Sequence, residues 1–395
     1  MSERFESIVI GAGMMGAAAA KYLARQSHGV ALIGPGEPAD TAGHSGVFAS
    51  HYDEARITRT IDANENWARL AHRSIARYAD IATESGISFY EEAGCLIVGP
   101  EPHGPDCYIA DVKTAAERLA VKTQTLDDAQ LGPEFPYFSF EQGSEGVFEQ
   151  ANAGYVNPRR LVKAQGVLAH QAGARLIEET VASVREQATG VEVATFEGQT
   201  YLADRVLVAA GGFSIAAGLL PRRLDLQVFA RTVALFEIAE AEAGDYAGMP
   251  SLISAPSVPT DHIYLLPPVR YPDGRLYLKI GGDPDDLVLQ DEAAVRAWFH
   301  SGGRESTRLH LKRIAEGLVP SLKGIEPHMA ACVTSFTPNN YPAIGYASER
   351  IAVLAGGCGQ AAKSSDEIGR LGAEMLLSGH IEGNDYSADF TPQFL

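Results

Sequence analysis

The glycine run Gly11-Ala12-Gly13-Met14-Met15-Gly16 constrains this chain more than any other feature. It follows Ser7-Ile8-Val9-Ile10, a short apolar run of the kind that forms a strand buried on both faces of a parallel sheet. Residues 17–26 read as a helix closed by Gly29, and Val30-Ala31-Leu32-Ile33 reads as a second buried strand. The unit is strand–turn–helix–strand with G-x-G-x-x-G at its turn. Such glycines allow a tight turn, close approach of backbone to a pyrophosphate, and tight packing of helix on strand. Alone, the pattern fits NAD, NADP or FAD. The second strand of such a site usually ends in Asp or Glu, for the adenosine ribose. Here Gly34 holds that place, in Leu32-Ile33-Gly34-Pro35-Gly36-Glu37. Either Glu37 reaches back or backbone groups do this work, which disfavours simple NAD binding more than FAD binding.

The strand–glycine pattern recurs twice. Residues 205–210 form a strand ending at Gly211-Gly212, with Phe213-Ser214 opening a helix. Ile351-Ala352-Val353-Leu354-Ala355 ends at Gly356-Gly357, and a long helix follows through 367–377. Between these pieces, segments near 86–150 and 219–324 carry most of the prolines and alternating strands such as Leu276-Tyr277-Leu278-Lys279-Ile280. The order predicts an α/β fold, α+β overall. A Rossmann-type nucleotide domain (1–85, 150–218, 325–395) is interleaved with a β-rich substrate domain (86–149, 219–324). The tail after 383 reads as a surface strap.

With 32 basic against 50 acidic residues, the net charge is −18. That field repels phosphate backbones and anionic membranes, so nucleic acid and membrane partners are not expected, and any anion site must be a local exception. Cys95, Cys107, Cys332 and Cys358 form no pair or cluster, which argues against a metal site and a disulfide framework. The longest apolar run, near 14–23, contains Lys21 and is too short to span a bilayer. The opening MSERFES runs into a strand with no signal-peptide core, so the expected setting is cytoplasmic.

Further motifs add chemistry. They are Arg56-Ile-Thr-Arg59, Tyr155-Val-Asn-Pro-Arg-Arg-Leu161, Val206-Leu-Val-Ala-Ala-Gly-Gly212, Tyr264-Leu-Leu-Pro267, Leu278-Lys-Ile-Gly281, Cys332 to Pro338 and Gly356 to Lys363. In this order and spacing, with the glycine turn, they resemble the glycine/D-amino-acid oxidase (DAO) family of FAD enzymes along essentially the whole chain. Within it they resemble the monomeric sarcosine oxidase-like branch. The resemblance implies a FAD-binding Rossmann-type domain, with FAD held by Gly11, Gly13, Gly16, Arg56, Gly359, Gln360, Lys363 and the backbone of Val181. It also implies a thioether from Cys332 to the flavin. By the same resemblance Arg59 and Lys363 hold a substrate carboxylate, Lys279 sits beside flavin N5 and promotes reaction with oxygen, and Tyr264 belongs to the catalytic group.

Each residue also has a plainer reading. Arg56 and Arg59, three apart, share one face on a helix or turn, and could be a solvated pair. A planar, permanently charged fork also suits a carboxylate. Lys363, in the first turn of a helix, opposes the helix dipole, so something should compensate it, and a bound carboxylate would. Lys279 alternates with Leu278 and Ile280 and could face solvent. Cys332 could be a core cysteine; Cys95, Cys107 and Cys358 read as packing. Two departures from the family pattern bear on the substrate: Gln360-Ala361-Ala362 replaces His-Gly-Phe, and Asp283 replaces a histidine. The expected activity is oxidation of the C–N bond of a small secondary amine or N-methyl amino acid by oxygen, giving an imine and hydrogen peroxide. The alternatives are a dehydrogenase serving a quinone or carrier, and a flavin-binding subunit without turnover.

Overall fold

A computed structural model describes residues 3–41, 43–101, 107–382 and 385–395. The Glu3–Ile10 strand lies between Val30–Ile33 and Thr200–Val208, parallel to both, in an eight-stranded sheet. Arg175–Ile177 and Ile351–Ala355 extend the parallel core, and Val181–Gln187, Gly190–Thr195 and Ala343–Tyr346 add antiparallel pairs. Ile10 is in register with both Ile33 and Val208, so three strands end level and open on one crevice, where such sheets bind ligands. The apolar runs are explained by burial on both sides. Val9 packs with Leu32, Leu207 and the helices, while Ile8 and Ile10 pack with Val193 and Leu219 on the other face.

Two helix expectations are corrected. The first helix is Met14–Ala24, not 17–26, because Gly13 is already its N-cap, so the glycine turn runs directly into the helix. Phe213-Ser214 opens no α-helix. Gly211–Ile215 is a 3₁₀ stretch and Ala216 is extended, with Gly218 and Pro221 following too closely for a longer helix.

Met14–Ala24 packs tightly on the last helix, Ala361–Ser378. A side chain on Gly369 would meet Ala18 Cβ at 2.5 Å, so only glycine against an alanine run permits this approach. Between the helices Lys21 Nζ donates to Asp366 Oδ1 at 2.7 Å, both side chains being almost wholly buried. Gln165, Arg77 and the Tyr22 hydroxyl also donate to this acid. The network orients the helix that carries Lys363.

The second sheet has nine strands and is organised on Gln227–Ile238, which pairs with Leu276–Gly281, Leu287–Leu289 and His328–Phe336. It therefore carries both Lys279 and Cys332. A small sheet of Arg56–Thr58, Gly154–Val156 and Tyr90–Glu91 completes the set. Residues 383 and 384 lie outside the described ones. From 385 the tail is tied to the body by Phe390, which is buried, and by the backbone bonds Asp225 N to Gln393 O and Leu395 N to Arg223 O. Among the described residues, no helix is long and apolar enough to cross a membrane.

Candidate active site

A cleft opens beside the level strand ends, lined by the glycine turn, Gly34, Val181, Arg56, Ser335 and Gly359 among others. Its glycines divide by role. A Cβ on Gly11 would meet Ala209 O at 2.4 Å, and one on Gly16 would meet Gly11 O at 1.9 Å, so the fold itself requires both. A Cβ on Gly13 would meet nothing nearer than His51 Nδ1 at 3.9 Å, so Gly13 faces the open cleft. The N-termini of Met14–Ala24 and Ala361–Ser378 have no side-chain cap, and Met14, Met15, Ala361 and Ala362 line the cleft. Two uncapped helix starts leave backbone N–H groups for anionic ligand groups, as a dinucleotide with a pyrophosphate requires. These residues fit FAD.

Gly34 could not be an acid. A Cβ there would meet Ala12 N at 2.5 Å. Glu37 does not reach back either, because its two oxygens accept from Arg159 Nε and Nη2 at 2.7 and 2.6 Å.

Beyond the glycines lie two buried ionic triads. In the first, Asp53 Oδ2 accepts from Lys279 Nζ at 2.7 Å and faces Arg56 Nε at 2.9 Å, while Tyr271 donates to Oδ1 at 2.8 Å. Lys279 is 1% exposed and also donates to Ala55 O, so it is no solvent-facing strand lysine. Arg56 Nη2 lies 3.2 Å from Cys332 Sγ, and the Tyr264 ring lies 5.9 Å from Lys279 Nζ. Burial, seconded by Arg56, pulls Lys279 down to about 8 against the opposing pull of Asp53. Lys279 and Arg56 hold the Asp53 carboxyl far below the usual range although burial pushes it up. In the second triad, Asp62 Oδ2 accepts from Lys363 Nζ at 2.7 Å and Arg59 Nη2 at 3.1 Å, and Oδ1 accepts from Asn64 N at 3.0 Å. Burial and Arg59 lower Lys363 to about 8, and both cations hold Asp62 below the carboxylate range against its burial.

Arg56 and Arg59 thus do not share a face. Arg56–Thr58 is a strand and Arg59 follows its end, so no helical repeat brings them together, and the two arginines serve different triads. The helix start at Lys363 is compensated from within the chain, by Asp62. Gln360 is the N-cap residue of its helix, with no side-chain capping bond. Asp283 is half-buried at 3.3 Å from Thr232 N, and burial raises it to about 6. Cys95 and Cys358 are buried, but Cys107 is exposed and cannot be packing, since it precedes the helix Tyr108–Arg118 whose apolar face lies on Ile109 and Val112.

Asp53 and Asp62 escaped the sequence reading. The signal was present: D-x-x-R-x-x-R-x-x-D, an acid three residues outside each arginine. Glu149, fully buried with Oε2 accepting from Thr60 N and Ile61 N, carried no local signal.

The chain is 24% identical to the monomeric sarcosine oxidase of Bacillus sp. (strain B-0618) over 387 residues, 97% of this chain and 94% of that one. It is 28% identical to the N-methyl-L-tryptophan oxidase of Yersinia pestis (strain Pestoides F) over 209 residues, covering 52% and 53% of the two. Among solved structures, NikD, described as an unusual amino acid oxidase essential for nikkomycin biosynthesis, superposes with a TM-score of 0.75 at 20% identity, covering 100% of this chain and 98% of that one. The family model for FAD-dependent oxidoreductases, DAO, matches residues 6–375, and with the glycine turn and cleft in place the chain belongs to that family of FAD enzymes.

Proposed function

We propose that the chain oxidises the C–N bond of a small secondary amine or N-methyl amino acid to an imine, which water hydrolyses, with oxygen reduced to hydrogen peroxide. The observation that carries this reading is the pair of buried triads, which set Arg56, Arg59, Lys279 and Lys363 as fixed cations in a chain of net charge −18. FAD, when bound, supplies the acceptor for the hydride equivalent. Gly11, Gly13, Gly16, Arg56, Val181, Gly359, Gln360 and Lys363 would hold it, and Cys332 would tether it covalently. In this reading Arg59 and Lys363 orient the substrate's polar end, Tyr264 flanks it, and Lys279 keeps a positive charge where oxygen is reduced. Neither aspartate serves as a base near neutral pH, because each is held low by two cations, and in this reading the amine arrives neutral. The division into a FAD domain (1–85, 150–218, 325–395) and a substrate domain (86–149, 219–324) is part of the same proposal.

A second reading passes the electrons to a quinone or carrier. One observation favours it: the Lys279 ammonium is already engaged by Asp53 at 2.7 Å. One experiment tests both. The holoenzyme is mixed without air with N-methyl amino acids, simple N-methyl amines, cyclic imino acids and D-amino acids, and flavin bleaching is followed. Bleaching by a secondary amine, then peroxide release on admitting air, is the expected result. Bleaching without peroxide selects the dehydrogenase, and no bleaching by any amine removes both readings.

A further inference from the structure

The second triad carries more information about the substrate. A cation pair built to seize a carboxylate should lack one of its own, yet Asp62 Oδ2 bonds both Lys363 and Arg59. All three side chains are at least nine-tenths buried, so solvent cannot take over the role of Asp62. Glu149 adds a second acid: burial pushes it up, while the N–H groups of Ile61 and Thr60 and the charge of Arg59 hold it down, and its own charge acts on Lys363. Two acids already stand against two bases. A substrate carboxylate would bring a third negative charge to a cluster that is balanced without it.

The cluster is not saturated in hydrogen bonds, however. Arg59 Nε and Glu149 Oε1 are buried with no partner. A buried donor or acceptor left unmet is costly, and a ligand group of the right polarity recovers that cost. Arg59 Nε needs an acceptor and Glu149 Oε1 needs a partner of its own. A hydroxyl or carboxamide both donates and accepts, and adds no charge.

We propose that Asp62 makes this site select an amine bearing an uncharged polar group, a hydroxyl or carboxamide, in place of an α-carboxylate. The proposal rests on the amine-oxidation reading and narrows it. Asp62 acts through Arg59 and Lys363 and is a specificity-determining residue, not a catalytic one. The charge of the pair is answered from within; what it offers a ligand is a directed N–H.

Two matched probes test this without turnover. Calorimetry on the wild-type holoenzyme should find acetamide binding at least about tenfold tighter than acetate, since like charges set against each other weaken binding. In Asp62→Asn, acetate should gain at least about tenfold by the same reasoning. Wild-type protein that binds acetate as tightly as acetamide overturns the proposal, whether or not the variant folds. A second arm compares kcat/KM for N-methylglycinamide, N-methylethanolamine and N-methylglycine. The uncharged pair should lead in the wild type, and N-methylglycine should gain on them in Asp62→Asn. N-methylglycine leading in the wild type also overturns the proposal. Absence of flavin reduction by every amine strikes the amine-oxidation reading instead, and the acetamide–acetate ratio still decides the role of Asp62.

Discussion

The two triads are built alike and surrounded differently. Each has one aspartate, one arginine three residues away, and one lysine brought from far along the chain. Around Asp53 the further groups are Tyr271, Tyr264 and Cys332, so this acid alone balances two cations. Around Asp62 a second acid, Glu149, shares the load. Their nearby thiols differ as well. Cys332 Sγ lies 3.2 Å from the Arg56 guanidinium, whereas burial pushes the Cys95 thiol, near Arg59 and Glu149, up to about 12. Similar local wording in the sequence thus yields two sites that differ in their charge balance and in the thiol beside them.

The contrast can be broken in four places. The most complete effect concerns the thiols. After acid precipitation the yellow colour should stay with wild-type protein and leave entirely with Cys332→Ala, while Cys95→Ala keeps it; flavin freed from the wild type would remove the tether. Next, Asp53→Ala leaves Lys279 and Arg56 buried without their anion and should cost about 3–5 kcal/mol in a denaturant titration. Asp62→Ala should cost less, because Glu149 remains; equal losses would end the claim that the second site is shared between two acids. Third, Lys279→Met should slow reaction of the reduced protein with oxygen by about 10²-fold, the usual effect of deleting one preorganised electrostatic donor. Since Lys279 titrates at about 8, the wild-type oxygen rate should fall as pH rises through that value, and the variant should be flat. Stopped-flow reoxidation across pH reads both, and a flat wild-type profile would place the charge elsewhere. Smallest, Arg59→Lys keeps the charge but loses the fork and its Nε donor, so the best substrate or inhibitor should bind about tenfold more weakly. An unchanged dissociation constant would leave Arg59 as a structural partner of Asp62 only.

How much of this was legible in the sequence depends on how far each interaction reaches. Gly11 to Gly16 could be read directly, because strand, turn and helix are neighbours in the chain and each glycine answers a local steric demand. The buried strands Val30–Ile33 and Ile351–Ala355 were read at their observed limits for the same reason. The pairing of Arg56 and Arg59 on one face failed because it assumed a helix or turn, whereas Arg56 sits in a strand that ends at Thr58, just before Arg59. Asp53 and Asp62 were passed over because their partners, Lys279 and Lys363, lie 226 and 301 residues away. The local spacing of each acid three residues from an arginine hints at a pair, but it does not say that a distant lysine will cover the aspartate.

The tight contact of Met14–Ala24 with Ala361–Ser378 has a consequence for the order in which the molecule can be made. The first helix, which opens the nucleotide crevice, is made long before the residues it packs against, since Lys21 and Asp366 lie 345 residues apart. Until those emerge, Lys21 has no Asp366 and the alanine face of the first helix has no cover. Assembly governed by such distant pairings is slow, and it leaves apolar surface open to wrong partners in the meantime. Synthesis must therefore run through Ala361–Ser378 before this half of the crevice can close, and a chain cut just after Lys363 would lose cofactor retention while keeping every group proposed to touch substrate.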